Sequence, residues 1–171
     1  ASLCESLGHR VEERSPSIEG QRYNDAFMVL WASGPTYVFH LIIQELRKHP
    51  LFKYSLGLIK DQYLMKGLPK LPWFSSFEPF TMELHRQACQ YTPAHLFSAW
   101  KEIQRARHQM ANFLTSYDLY LTPTLGLPPL KTGSLTSDMD DYLEQAFKYV
   151  AYTPIANPLG LPACSIPMDW N

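Results

Sequence analysis

Two adjacent serines, Ser75 and Ser76, are the first place to look for nucleophilic chemistry. A serine attacks only with a base in hydrogen-bond reach and N–H donors for the oxyanion, usually on glycines that let the backbone come close. Here the neighbours are Phe74 and Phe77, with no glycine beside the pair, which argues against a catalytic serine. The six histidines, His9, His40, His49, His85, His95 and His108, form no H-E-x-x-H or other metal spacing. His85 and Cys89 stand four apart on one helix face, yet no third ligand accompanies them. Glu12-Glu13 and Asp140-Asp141 are adjacent carboxylates, whose side chains point to different sides of a strand or helix. They read as solvated charges, not as an acid/base pair. Cys4, Cys89 and Cys164 are widely spaced and make no C-x-x-C pair. They are expected to be free thiols in a reducing compartment, with neither a zinc ribbon nor a disulfide framework.

One stretch remains, "YTPIANPLGLPACSIP" at 152–167. Prolines at 154, 158, 162 and 167 fix the backbone and remove donors, while Gly160 permits a turn or a close approach. Asn157 can both donate and accept. Such a segment suits the rim of a pocket whose geometry must not drift. Composition alone equally describes a rigid crossover between a helix and a strand.

The chain that must position these residues has 171 of them, enough for one ordinary domain with a real core. A net charge of −1 gives no bulk field to steer nucleic acid or an anionic membrane surface, so neither is expected as a partner. No apolar run approaches the roughly 18 residues of a membrane span, and no leader pattern opens the chain. It begins without methionine, inside a helical pattern. A cytoplasmic protein cut from something longer is the expectation.

Helical periodicity dominates. Leu3, Cys4 and Leu7 share a face before Gly8 offers a left-handed stop. Tyr23, Phe27, Leu30 and Trp31 recur at helical spacing until Gly34-Pro35, which should break the helix. A second helix is predicted over 36–48, with Tyr37, Val38, Leu41, Ile42 and Leu46 inward. Another is expected over 53–66, then a proline-punctuated ordered loop, then a helix over 79–90. The clearest helix spans 93–116, capped by Thr92 with Pro93 in its first turn. Its apolar stripe is Leu96, Trp100, Ile103, Met110 and Leu114, with Lys101, Glu102, Arg105 and Arg107 in solvent. Ser137 and Asp140 form a capping-box pattern before a helix bearing Tyr142, Leu143, Ala146, Phe147 and Val150. Three strands are predicted: "HRVEERSP" (9–16), "YDLYLTPT" (117–124) and "ACSIP" (163–167). Long helical stretches separate them, so they read as members of a sheet whose other strands lie elsewhere.

These segments together resemble the amidase signature family. "ASLCESLGHRVEERSP" is similar to its "A-x-x-L-x-x-L-G-H-x-V-x-x-x-x-P", "YDLYLTPTLGLPP" to its "YDvLLTPTla-PP", and 152–167 to its "FT-x-x-x-N-x-x-G-x-P-A-x-S-x-P". The matches fall in family order and spacing. The terminal "MDWN" resembles the branch that includes 6-aminohexanoate cyclic-dimer hydrolases. The resemblance implies an α/β fold, with this chain as a helix-rich C-terminal portion whose few strands join a mixed central sheet. It implies hydrolysis of a small-molecule amide by a Ser–cis-Ser–Lys triad beside a glycine-rich loop, with no metal or organic cofactor. Family members are usually cytoplasmic and often homodimers.

Departures from the family pattern set the functional expectation. The glycine-rich Ser-Ser loop and the catalytic lysine belong to the first half of family members, and neither occurs here. Residues 1–171 therefore read as one unit or fragment, the later part of a catalytic domain, needing a missing N-terminal half. No catalytic residue is assigned. Asn157 and Gly160 are expected to hold the pocket loop, and Trp31, Trp73 and Tyr152 to wall an apolar acyl site. Plain core packing is the competing reading for the three aromatics. The amidotransferase branch that uses glutamine carries an aspartate seven residues before the motif asparagine. Here Val150 stands there, which counts against that branch. The alternative function is a truncated or degenerate amidase acting as a non-catalytic binding or interaction module.

Overall fold

The computed structural model describes residues 1–50, 65–67, 76–133 and 139–167. A short helix α1 (Ser2–Ser6) leads to Gly8, whose φ of 91° is the predicted left-handed stop. Then come α2 (Gly20–Lys48), α3 (Pro79–Ala88), α4 (Pro93–Leu114) and α5 (Met139–Tyr149). A 3-10 turn (Thr153–Ile155) runs into the four-residue α6 (Ala156–Leu159). The helix expected over 53–66, the loop after it and the Ser137 cap fall mostly or wholly outside the described residues, although 65–67 are helical.

The largest departure is at Pro35, which lies inside α2 without ending it. A proline there removes one backbone hydrogen bond and crowds the preceding turn. Packing outweighs that cost, because α2 lies along both α3 and α4. An unbroken helix keeps one phase, so its buried side chains are Tyr23, Ala26, Ala32, Phe39 and Ile43. Tyr37, Val38, Leu41 and Ile42, expected inward, are exposed. Joining the two halves also makes α2 long and apolar enough to cross a membrane by length and composition, with a mean hydropathy of 1.5 in its most apolar window. Splitting the pattern at Pro35 hid this.

The face of α4 is likewise shifted. Thr92 and His95 form a reciprocal cap: the His95 N–H donates to Thr92 Oγ1, and the Thr92 N–H donates to His95 Nδ1 at 3.0 Å. The buried side chains of α4 are Ala99, Ile103, Ala106 and Met110, whereas Leu96 and Trp100 are exposed. Ala26 on α2 and Ala99 and Ala106 on α4 share one core cluster, and such small side chains let two backbones approach closely. Glu102 is not simply solvated, as expected, but bridges the two helices. It accepts from Arg22 Nη2 of α2 at 3.0 Å and from the neighbouring Arg105. These hydrogen bonds, that from Arg105 first, hold its carboxyl below the usual range.

The three predicted strands are not formed among the described residues. Helices therefore make up the regular structure of the described residues, and the three segments run beside them without forming a sheet of their own. A ladder needs a neighbour in register offering alternate N–H and C=O groups, and here only side chains meet. Tyr117 Oη donates to Glu12 at 3.2 Å, and the hydroxyls of Thr124 and Ser165 are 3.3 Å apart. The middle segment thus touches each of the other two, which their sequence separation did not suggest. Leu119 is 87% exposed and Ile166 65%, so their apolar side chains are uncovered.

Candidate functional site

The proline-rich stretch is anchored at both levels, backbone and side chain. Leu159 is fully buried in the cluster of Tyr23, Ala26, Ala99, Ile103, Ala106 and Met110. Burying a leucine contributes about 1.5–3 kcal/mol, enough to fix a short turn. Tyr23 Oη donates to the Pro154 carbonyl at 2.9 Å, tying α2 to the start of the stretch. Burial pushes this phenol up to about 12, so it stays a donor at neutral pH.

Gly160 closes α6 with φ 67° and ψ 36°. The Gly160 N–H donates to the Asn157 carbonyl at 3.1 Å, and Leu161 N–H to Ala156 at 3.0 Å. This is a left-handed helix end that glycine adopts without strain. Asn157 sits on α6 with its residue exposed, one turn before that end. Tyr152 is 40% exposed just before the 3-10 turn. The sequence reading placed these three on one rigid stretch, and the structure holds them there. Asn157 faces solvent in this chain, so it holds no enclosed pocket formed by the described residues.

Trp31 belongs elsewhere, in a ladder of rings joining three helices. It stacks on Phe27 of its own helix at 5.8 Å between centroids and meets Phe80 of α3 at 5.4 Å. Phe80 in turn meets Tyr142 of α5 at 4.5 Å, and Phe27 meets Phe147 of α5 edge-on at 6.3 Å. Trp31 remains 38% exposed in the middle of this ladder, a partly open apolar wall rather than a filled core. Trp73 lies outside the described residues. Phe27, Phe80, Tyr142 and Phe147 read in sequence only as helix faces, because their meeting requires three helices to converge.

Beside the ladder, α2 and α5 enclose an open groove of about 490 Å³. Met28 and Phe147 supply apolar lining, and Asp25, Glu144 and Lys148 stand among the polar lining residues. The far end of α5 is sealed by the loop after 124. The Gly126 N–H donates to the Tyr149 carbonyl at 2.8 Å, and a methyl on Gly126 would run into the Lys148 carbonyl oxygen.

Potential nucleophiles and bases do not converge. Among the described residues, no serine side chain meets a histidine or lysine, and Ser76 is exposed beside Phe77. Among those residues no three His, Cys, Asp or Glu side chains gather to hold a metal ion. His85, fully buried, is a structural tie. Its Nε2 donates to the Met65 carbonyl at 2.9 Å, so its Nδ1 accepts from Thr36 Oγ1 at 2.9 Å. Burial pushes the ring below the ordinary histidine range and the neighbouring Cys89 thiol above its own.

The family model described as Amidase matches residues 1–171, and the chain belongs to that family. Among curated relatives, a Mycobacterium leprae protein named "Putative amidase AmiC" is 28% identical over 169 residues, covering 98% of this chain and 31% of that protein. The protein of the same name from Mycobacterium tuberculosis (strain H37Rv) is 26% identical with the same coverage. A Synechocystis protein named "Putative amidase" is 23% identical over 171 residues, covering 99% of this chain and 27% of that protein. The chain therefore spans about a third of the length of the curated relatives it matches. No solved structure matches it.

Proposed function

We propose that this chain is the later, substrate-facing part of an amide hydrolase, and that the Ser–cis-Ser–Lys machinery lies in a separate, earlier part of the polypeptide. The observation that carries this reading is the family match along every residue of a chain only a third as long as its relatives. In that mechanism a serine from the earlier part attacks the amide carbon, lysine moves the proton through the second serine, and the amine leaves. Water then releases the acid. The role of the present residues is to hold and shape. Tyr23 and Leu159 fix the stretch carrying Tyr152, Asn157 and Gly160, and the wall around Trp31 receives the apolar part of a small amide. No step of this chemistry calls for a metal or organic cofactor, and the enzyme works in the cytoplasm.

Incubation with simple amides and a serine-reactive phosphonate tests this. The 171-residue chain should neither hydrolyse nor become labelled, whereas the longer polypeptide should do both. Labelling of the isolated chain would sink the assignment of the triad to another segment. A longer polypeptide that is inert would favour a non-catalytic binding module.

A further inference from the structure

The groove between α2 and α5 has a chemistry more specific than an apolar wall. Its open volume of about 490 Å³ leaves room for a small molecule. Met28 and Phe147 offer a thioether and a ring, surfaces suited to a flat apolar body. The charges around them do not cancel. Lys148 pairs with Glu144 one turn away, which holds the Glu144 carboxyl below the usual range. Asp25 accepts only from the neutral amide of Gln21, at 2.8 Å, and meets no cation among the described residues. One carboxylate is left to answer a positive charge in the groove.

We propose that this groove binds an arylalkylammonium ion, its ring on Met28 and Phe147 and its ammonium toward Asp25. The inference deepens the amidase reading and rests on it for its biological sense. Hydrolysis of an amide R–CO–NH–R′ by water gives the acid and R′–NH2, which takes up a proton at neutral pH. An arylalkylammonium ion is the product of cleaving an amide of an arylalkylamine. Substrates of that class would place their amine side here.

Binding is read without turnover, by NMR titration of the 171-residue chain with benzylammonium, benzyl alcohol and benzoate at equal ionic strength. Benzylammonium should bind roughly three- to tenfold more tightly than benzyl alcohol, as one partly exposed charge contact allows, and benzoate most weakly. Asp25→Asn should bring benzylammonium to the level of benzyl alcohol and leave the alcohol unchanged. Asn24→Trp, at an exposed lining position, should weaken both by filling the groove. Equal binding of the three probes, or a preference that survives Asp25→Asn, overturns the proposal. Shifts that spare Met28 and Phe147 overturn it too. A longer polypeptide that binds benzylammonium in this way without hydrolysing amides would defeat the amidase reading and not the groove.

Discussion

The hydroxyl of Tyr23 on α2 donates to the carbonyl of Pro154, 131 residues further along the chain, at 2.9 Å. A long helix thereby grips the start of the proline-rich stretch directly. Tyr23→Phe keeps the ring in the core and removes only the donor. It should cost about 1 kcal/mol in denaturant unfolding and speed amide exchange at Gly160 and Leu161. Burial holds the phenol near 12, above its ordinary value, so wild-type stability should fall as pH rises from about 10 toward 12. In that range the unfolded chain gives up a proton that the folded chain keeps. The phenylalanine variant should lack this alkaline component.

Two glycines are required for different reasons, and alanine scanning separates them. Gly160 needs a left-handed backbone but has space, the nearest atom to an added methyl being Arg107 Cζ at 4.0 Å. Gly160→Ala should cost about 1–2 kcal/mol, the strain of that conformation alone. Gly126 has an ordinary φ but no space, since an added methyl meets the Lys148 carbonyl and lies 3.0 Å from the Ala151 side chain. Gly126→Ala should displace its loop from the end of α5, seen as loss of protection at the Gly126 amide. Thermal melts of the two variants, with exchange at that amide, check the distinction.

Acid should loosen the contact of α3 with α2. His85 is buried as the neutral ring, donating to Met65 and accepting from Thr36. Its folded affinity for protons is depressed, so its contribution to stability is complete above the ordinary histidine value and is lost as pH falls below it. The unfolding midpoint of the wild type should therefore drop as pH falls below about 6.5. His85→Gln, which cannot titrate, should be less stable at pH 8 and show a flatter profile below 6.5.

The cap of α4 is a local signal with a measurable worth. Thr92→Ala removes the acceptor for the His95 N–H and should cost about 1 kcal/mol. Thr92→Ser should restore most of it. Denaturant midpoints of the two variants decide.

Much of the helical frame was legible in the sequence because its signals are local. Thr92-Pro93, Gly8 and the periodic faces each act within a turn or two. Pro35 misled for the opposite reason: its local cost is real, but side chains as distant as Leu84 and Ala88, which cluster with Ala32, outweigh it. The stripe on α4 was displaced toward Ala99 and Ala106 because hydrophobicity ranks alanine low, whereas close helix packing favours small side chains. For the candidate site, Asn157, Gly160 and Tyr152 were singled out through the proline-rich motif. Trp31 was named for an apolar wall, but Phe80, which meets it, and Tyr142, which meets Phe80, read only as helix faces, since sequence spacing carries no record of which helices meet. The alternation in "YDLYLTPT" predicted a strand that is not formed among the described residues, because a strand also requires a second chain segment to complete it.

That uncovered segment governs how the molecule can be handled. Leu119, Leu121 and Ile166 present greasy side chains on backbone that has formed no ladder, and any extended peptide that arrives first will zip onto it. Under the proposed reading, these 171 residues should therefore be less soluble by themselves than when co-produced with the earlier part of the polypeptide, as their share in the clarified lysate would show.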